Sequence, residues 1–278
     1  RTFLPGMPLA IYGGLKANFS PEELQGQAPL ANPFVSTAAA PADRWNGPYV
    51  GANGGWLGST SNSIGNSGTD TGGGGLGTGL LTGAIPTSVA LGYDGVLVGG
   101  TVGYNWQVNP MWVAGIETDF DGAIARSGAT VGPITIPAFP DQTTTYAREL
   151  DWLGTFRGRA GITPVSQLLV YVTGGLAYGQ TKLGSNYICP QCAPSPVAPA
   201  ATVRTALGWT AGGGVEWAFA PQWSIKAEYL YVDLGSIGNF ISYAYDFANG
   251  GNVSTLTSTA RETENVVRVG VNYKISGL

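Results

Sequence analysis

The feature that most constrains the fold is a period-two alternation of apolar and polar side chains, which recurs from Trp45 onward. In residues 149–162 every charged side chain lies at an odd position, whereas the even positions hold apolar residues and glycine. Residues 207–219 and 266–275 alternate in the same way. Each segment has one charge-free face and one face of charges, polar groups and glycines. This pattern is expected of a β-strand whose two sides meet different environments.

Eight segments of this kind are separated by connections of two lengths. The segments span about 46–58, 93–107, 111–126, 146–162, 167–183, 203–219, 222–235 and 262–275. Short connections alternate strictly with long ones; the short ones are 108–110, 163–166 and 220–221, and the long ones are about 59–92, 127–145, 184–202 and 236–261. Short periplasmic turns and long external loops are typical of outer-membrane barrels. The sequence therefore predicts an all-β fold, an eight-stranded antiparallel up-and-down transmembrane β-barrel over residues 45–278, with both chain ends on the periplasmic side.

Composition agrees with a membrane barrel and excludes other classes. Only 11% of the 278 residues are charged, against about 25% in ordinary soluble domains. No run of apolar residues is long enough for a transmembrane helix. An acidic pI of about 4.8, without a cluster of Lys or Arg, argues against nucleic-acid binding. The alternative fold is a soluble lipocalin-like barrel, whose apolar faces would point inward.

The absence of histidine argues against enzyme chemistry. The usual catalytic triads need an imidazole, and the chain contains no His. Paired carboxylates such as Glu117 with Asp119, or Glu149 with Asp151, are more typical of ion pairs in a barrel wall than of catalysis. We therefore expect no catalytic residue, no metal site and no cofactor.

Most tryptophans lie near predicted strand ends. Some are within a few residues of a short turn, and others lie near the ends of the long loops. Amphipathic aromatic rings prefer the two membrane–water interfaces, so these residues are predicted to form two aromatic girdles. The predicted girdle residues are Trp56, Trp106, Trp112, Trp152, Trp209, Trp217 and Trp223.

Charges on the polar faces lie at similar heights along their strands. An eight-stranded barrel encloses only enough room for side chains. We therefore expect these charges to form one central layer of both signs, whose salt bridges block the lumen. A narrow ion path lined by the same groups is the alternative. The predicted layer consists of Glu117, Arg157, Arg159, Glu216, Lys226, Glu228 and Arg268.

The two cysteines, Cys189 and Cys192, lie in a proline-rich stretch. Since no third Cys and no His is present to complete a zinc site, zinc binding is not expected. The pair instead predicts a small disulfide loop in an oxidising compartment.

Residues 1–44 lack the alternation and are rich in Pro and Ala. Ser20 has the form of a helix cap, and Pro21 suits the first helical position. Gly26 would end this helix after little more than one turn. We expect a periplasmic extension and linker with one short helix, which docks on a second copy of the chain or on another envelope protein.

Several motifs occur in the order found in a known family. Residues 45–56 read WNGPYVGANGGW, and further motifs are GYNW at 103–106, RGRAG at 157–161, GGLAYG at 174–179, GGGVEW at 212–217, KAEYLY at 226–231 and VRVGVNY at 267–273. Over about residues 45–275 the sequence resembles the alphaproteobacterial outer-membrane immunogenic proteins, a porin-like branch of the OmpA-type barrels. The resemblance implies an eight-stranded outer-membrane barrel and no assigned catalytic activity. The length of segment 1–44 and the tail beyond Tyr273 depart from the family pattern.

Taken with the residues above, this favours a non-enzymatic protein with a structural or assembly role in the cell envelope. We expect it to contact outer-membrane lipid and to form a homo-oligomer or an ordered array. A small-solute porin and a surface-loop adhesin or recognition protein are the alternatives.

Overall fold

The computed structural model describes residues 44–72, 75–136, 139–190, 199–245 and 251–275, with the backbone alone for 135–136, 139–140 and 243–245. The elements are β1 (Gly47–Ser59), β2 (Ser63–Asp70), α1 (Leu76–Leu81), β3 (Ser88–Ala90), β4 (Asp94–Gln107), β5 (Trp112–Ile136), β6 (Phe139–Val165), β7 (Leu168–Ile188), β8 (Ala200–Ala218), β9 (Trp223–Tyr245) and β10 (Asn252–Lys274). The short helix expected near residue 20 lies outside the described residues. Within the described ranges, no helix has the length and apolar character needed to cross a membrane.

A closed ring of antiparallel strands forms the barrel. The strands pair in the order β1-β4-β5-β6-β7-β8-β9-β10, and β1 then pairs with β10. In this closing pair Val50 lies opposite Tyr273, and Trp56 lies opposite Val267. Closure satisfies the backbone hydrogen bonds that an open sheet edge would expose to lipid.

The predicted strand number is wrong, because the sheet contains ten strands rather than eight. The two additional strands, β2 and β3, come from the first long connection, where no alternation of apolar and polar residues marks a strand. β2 pairs with the distal part of β10, with Ile64 opposite Ala260, and β3 pairs with β2. Both therefore extend the sheet beyond the ring that β1 closes.

Several strands are much longer than predicted. The expected loops 127–145 and 236–261 are largely strand, because β5, β6, β9 and β10 continue through them. Register shifts occur between Gly122 and Ala125 and between Glu262 and Thr263. A bulge inserts a residue and changes the phase of the alternation. Beyond these shifts the outward positions of β10 are mainly threonines, although Phe240 on the neighbouring β9 is exposed, so the uniformly apolar outward face that marks the other segments ends there.

The outer wall carries apolar side chains between two levels of tryptophan. Trp56, Trp106, Trp112, Trp209, Trp217 and Trp223 are all 46–52% exposed. Trp152, the seventh predicted girdle residue, is only partly exposed and stacks on Phe120 at a centroid distance of 5.3 Å. Val98 and Val172, which lie between the two levels, are 70% and 67% exposed. The apolar faces thus point outward, opposite to a lipocalin-like barrel, and we take the wall between the two levels as the membrane-spanning part.

The first long connection folds into the barrel mouth. Ile64 on β2, Leu76 on α1 and Ile85 after α1 are fully buried. Asp70 at the end of β2 accepts hydrogen bonds from the backbone N–H groups of Gly77 (3.0 Å) and Thr78 (2.7 Å). Its carboxylate thereby satisfies donors at the start of α1, which otherwise lack partners. The stretch 71–79, expected to be an open loop, therefore includes the beginning of a helix.

Replacing Asp70 with Ala should loosen this connection. Burial alone would raise the pKa of Asp70, but hydrogen bonds from Ser254 and Thr78 lower it below its usual value. The carboxylate is therefore ionised at neutral pH, and its contribution disappears only as the pH falls through that lowered pKa. Loss of such a cap costs about 1 kcal/mol. Amide hydrogen exchange at pH 7 should accelerate in residues 64–82, whereas the exposed control Asp94→Ala should leave it unchanged; equal exchange in both variants would contradict the assignment.

Candidate functional site

The seven predicted charge-layer residues all point into the lumen and are buried together. Period-two alternation directs them inward from β5, β6, β8, β9 and β10; β5 pairs with β6, β8 to β10 are successive neighbours, and β7 lies between the two groups. None is more than 5% exposed, and the set is Glu117, Arg157, Arg159, Glu216, Lys226, Glu228 and Arg268.

Glu117 on β5 is the centre of this layer. Its carboxylate accepts hydrogen bonds from Tyr49 Oη at 2.7 Å and from Lys226 Nζ at 2.9 Å. Arg157 forms a salt bridge with Oε1, and Arg159 forms a longer one with Oε2 at 3.4 Å. Both oxygens of one buried carboxylate are therefore shared among three cationic groups from β6 and β9 and the tyrosine from β1.

A second centre surrounds Arg268 on β10. Its guanidinium lies 2.6 Å from Asp119 Oδ2, 2.8 Å from Asp121 Oδ2 and 2.7 Å from Glu228 Oε2. Asp119 and Asp121 were not among the predicted members of the layer, and the structure includes them. The signal was present, since both aspartates continue the inward phase of Glu117 along β5. They were missed because they lie farther from the short turn than Glu117, above the height expected for the layer.

Arg157 joins the two centres into one network. It contacts Glu117 in the first centre and, in the second, Asp119 and Glu228 at 2.8 Å each. At the other end Arg159 pairs with Glu216 Oε2 at 2.7 Å. The network contains five carboxylates and four cationic side chains, and all of these residues are at least 95% buried.

Two tyrosines that the sequence did not single out complete the layer. The guanidinium carbon of Arg159 lies 4.0 Å from the ring centroid of Tyr171 and 5.8 Å from that of Tyr49. Two glycines give these rings their space. A Cβ at Gly103 would lie 2.3 Å from the Tyr49 ring, and one at Gly214 would lie 2.7 Å from the Tyr171 hydroxyl. Neighbouring strands therefore lack side chains where the aromatic rings cross the lumen.

Apolar layers lie on both sides of the charge layer. At the short-turn end, buried Trp45 packs in a cluster with Val113, Leu169, Tyr171 and Ala218, and its Nε1 donates to the Ser166 carbonyl at 3.2 Å. On the other side is a larger cluster; it consists of Leu57, Tyr93, Leu97, Ala125, Leu150, Leu153, Ala177, Ala206, Leu230, Val232, Leu234 and Val266. The lumen is thus filled by side chains both below and above the charges.

A second buried polar cluster lies beyond that upper apolar layer, toward the long connections. It is formed by Tyr93, Arg148, Glu262 and Glu264, which are at most 3% exposed. None of these four residues was among the predicted site residues. Glu262 adjoins the register shift in β10, which breaks the alternation that identified the other inward charges.

The remaining predicted features lie elsewhere. Glu149 and Asp151 lie on the outer wall, where both contact Lys182, at 3.4 Å and 2.9 Å. Cys189 is buried near Leu256 and Tyr187 in the mouth of the barrel. Its predicted partner Cys192 lies outside the described residues, so the Cys189–Cys192 disulfide stays a prediction.

Replacing Glu117 with Gln should destabilise the barrel strongly. The amide keeps the shape of the side chain but leaves several buried cations without their shared counter-charge, and breaking a buried pair in this way costs about 3–5 kcal/mol. The measurement is urea unfolding of the full chain in lipid vesicles. Glu149→Gln removes an acid of the same type from a partly exposed pair, for which we expect less than about 1 kcal/mol. Equal stability losses in the two variants would contradict a central role for Glu117.

Comparison with known proteins identifies the family of this chain. The sequence pattern of the outer membrane protein beta-barrel domain matches residues 30–274. The 31 kDa outer-membrane immunogenic protein of Brucella melitensis biotype 1 is 30% identical over 271 residues, which cover 96% of this chain and 100% of the relative. The 22 kDa outer membrane protein of Rhizobium leguminosarum bv. viciae is 26% identical over 62% of this chain and 63% of that protein. Among solved structures, Neisserial surface protein A covers 83% of this chain and 98% of its own at 13% identity, with a TM-score of 0.39. The chain belongs to the outer membrane protein β-barrel family and is an integral protein of the bacterial outer membrane.

Proposed function

We propose that this protein is a closed, non-enzymatic barrel with a structural role in the cell envelope. The observation that supports this most directly is the filled lumen, in which a network of buried ion pairs lies between two apolar clusters. A conducting pore would need a continuous hydrated path. Here the carboxylates and guanidinium groups at the middle of the barrel contact one another at 2.5–3.4 Å in their main pairs.

The network also supports the absence of catalysis. The carboxylates that alternation places side by side, Glu117 and Asp119, are both held by Arg157. Carboxylates bound in this way are not available as general acids or bases. Without a histidine in the chain, a serine or threonine nucleophile lacks its usual activating base.

Recognition through the external surface is the second candidate. The distal parts of β10 and β2 present outward hydroxyl groups in register, with Thr255 opposite Thr69 and Thr257 opposite Ser67. The Thr69 and Thr255 hydroxyls are 2.8 Å apart. An ordered sheet with hydroxyl groups in fixed positions is suited to contact with a polar surface, and it extends beyond the membrane-spanning part.

Planar-bilayer recording separates the closed barrel from a pore. We expect the purified full chain to give no steady unitary conductance, because the charge layer and both apolar clusters exclude ions. Folding of the same sample is verified by its heat-dependent mobility on gels. An absence of conductance then reports a closed lumen and not unfolded protein. Stable, salt-dependent openings by folded protein would contradict the proposal and favour a small-solute porin.

We further propose that residues 1–44 dock on a second copy of this chain or on another envelope protein on the periplasmic side. Deletion of residues 1–40 removes this segment and leaves Trp45, which fills the short-turn end of the barrel, in place. The full chain should form higher-order species on native gels, and the truncated protein should lack them. An unchanged oligomer would contradict this assignment without affecting the closed lumen.

A further inference from the structure

A single buried side chain hydrogen-bonds to both ends of the first external connection. Arg148 on β6 is fully buried, and its Nη1 donates to the carbonyl oxygens of Ser61 at 2.9 Å and Leu91 at 2.7 Å. These residues flank the segment that contains β2, α1 and β3. The Nη2 of Arg148 donates to the Arg261 carbonyl at 2.9 Å and to Glu262 Oε1 at 3.1 Å. The guanidinium thus ties the segment to β10.

The hydroxyl group of Tyr93 contacts two carboxyl groups near this guanidinium, which is one hydrogen bond more than its single proton can donate to ionised acids. Tyr93 Oη lies 2.9 Å from Glu262 Oε2 and 2.6 Å from Glu264 Oε1. A phenol has one proton and can donate one well-aligned hydrogen bond, and two ionised carboxylates offer acceptors alone. Both contacts are well-aligned hydrogen bonds only when one of the two carboxyl groups carries a proton. The geometry therefore favours a proton shared within Tyr93, Glu262 and Glu264.

Charge balance leads to the same conclusion. Among the described residues, Arg148 supplies the single cationic group in direct contact with this pair of acids, through Glu262. With one carboxyl group protonated, the cluster of Arg148, Glu262 and Glu264 is neutral. With both ionised, it carries an uncompensated negative charge in a site where Glu264 is fully buried and its Oε2 has no hydrogen-bond partner. Such a charge is strongly disfavoured by desolvation.

We propose that this shared proton is a latch that holds the external segment, residues 60–92, in the barrel mouth, and that loss of the proton releases it. When both glutamates are ionised, water must enter to solvate the added charge. The residues whose contacts exclude this water are Ser61, Leu91 and Tyr93, which belong to or adjoin the segment itself. Release of the segment therefore hydrates the acids without opening the membrane-spanning wall.

The electrostatic surroundings set the pH range of the latch. Glu264 lies beyond the Trp56–Val267 pair, toward the long connections and outside the membrane-spanning part. Burial raises its pKa to about 8. The groups that face it come from four parts of the fold, namely Tyr93 before β4, Arg148 on β6, Asp233 on β9 and Glu262 on β10. Asp233 is itself paired with Arg261 at 2.6 Å.

The sign of the pH effect follows from this raised pKa. In the released state Glu264 is solvated and has an ordinary carboxyl pKa near 4.5. The latched state binds the proton more tightly, so it is most stable below that ordinary value and loses stability as the pH rises toward about 8. The segment should therefore be held at acidic pH and should open increasingly in mildly alkaline solution.

The central charge layer should not respond in the same way. The upper apolar cluster, including Leu57, Leu150 and Val266, separates it from the latch. Release of residues 60–92 therefore leaves the lumen closed at the middle of the barrel. Failure of the latch and failure of the closed-lumen proposal are accordingly distinguishable, since the first concerns exchange in one external segment and the second concerns conductance.

The test is amide hydrogen exchange of the full chain in lipid vesicles at pH 6 and pH 9, normalised to the unfolded chain at each pH. Protection of residues 60–92 should fall by about tenfold or more between the two conditions in the wild type. Glu264→Gln keeps the side chain neutral and should abolish this fall. The matched control Glu149→Gln, on the outer wall, should behave like the wild type. An equal fall in Glu264→Gln and wild type, or no fall in the wild type, would overturn the latch.

A second measurement on the wild type does not depend on the variant's folding. Infrared difference spectra between pH 6 and pH 9 should show the carbonyl stretch of a buried protonated carboxyl group disappearing at the higher pH. If Glu264→Gln folds, the same band should be missing from its spectra. A wild-type protein without such a band at pH 6 would exclude the shared proton and with it the proposal.

Discussion

The compensation of buried charge is the constraint on which the rest of this barrel depends. Charged side chains are tolerated in a closed lumen only when each meets an opposite charge with good geometry. Glu117, Arg157 and Arg268 meet this condition together, because each contacts groups from more than one other strand. Removing one of them takes away a counter-charge from its partners on other strands, so the network favours the observed register among the strands that carry these groups and does more than fill space.

The pattern of inward and outward side chains in the barrel wall changes where the register shifts occur. Below them, the strands present apolar side chains outward and polar ones inward, as lipid and a filled polar lumen require. Above them, the interior contains apolar clusters around Ile64 and Leu256, and the outward face of β10 carries Thr255 and Thr257. The same strands therefore face lipid in their membrane-spanning parts and a more polar environment beyond them. The bulge at Glu262 and Thr263 is where β10 passes from one pattern to the other.

The sequence was sufficient for the membrane-spanning part, because lipid on one side imposes a strict alternation. The ring order, the outward tryptophans and the inward position of Arg157 all follow from that pattern. It was insufficient where lipid no longer selects the outward residues. β2 and β3 exist because Ile64 and Val89 are buried against the interior of the barrel mouth, which is a tertiary contact that periodicity does not report. Tyr49 was missed for another reason, since its role depends on the absence of a side chain at Gly103 on a neighbouring strand.

The two buried polar clusters differ in how completely cationic groups balance the charge of their carboxylates. In the central layer the carboxylate of Glu117 contacts three cationic side chains, so its negative charge is balanced from more than one direction. In the upper cluster, as far as the described residues show, Glu262 pairs with one cation, Arg148, and the side chain of Glu264 hydrogen-bonds only to the hydroxyl of Tyr93. A carboxyl group with a neutral donor and no cation is most stable when it keeps its proton. The barrel thus combines a charge layer that holds the wall together with a polar cluster whose contacts depend on a proton, and the apolar layer between them keeps the two independent.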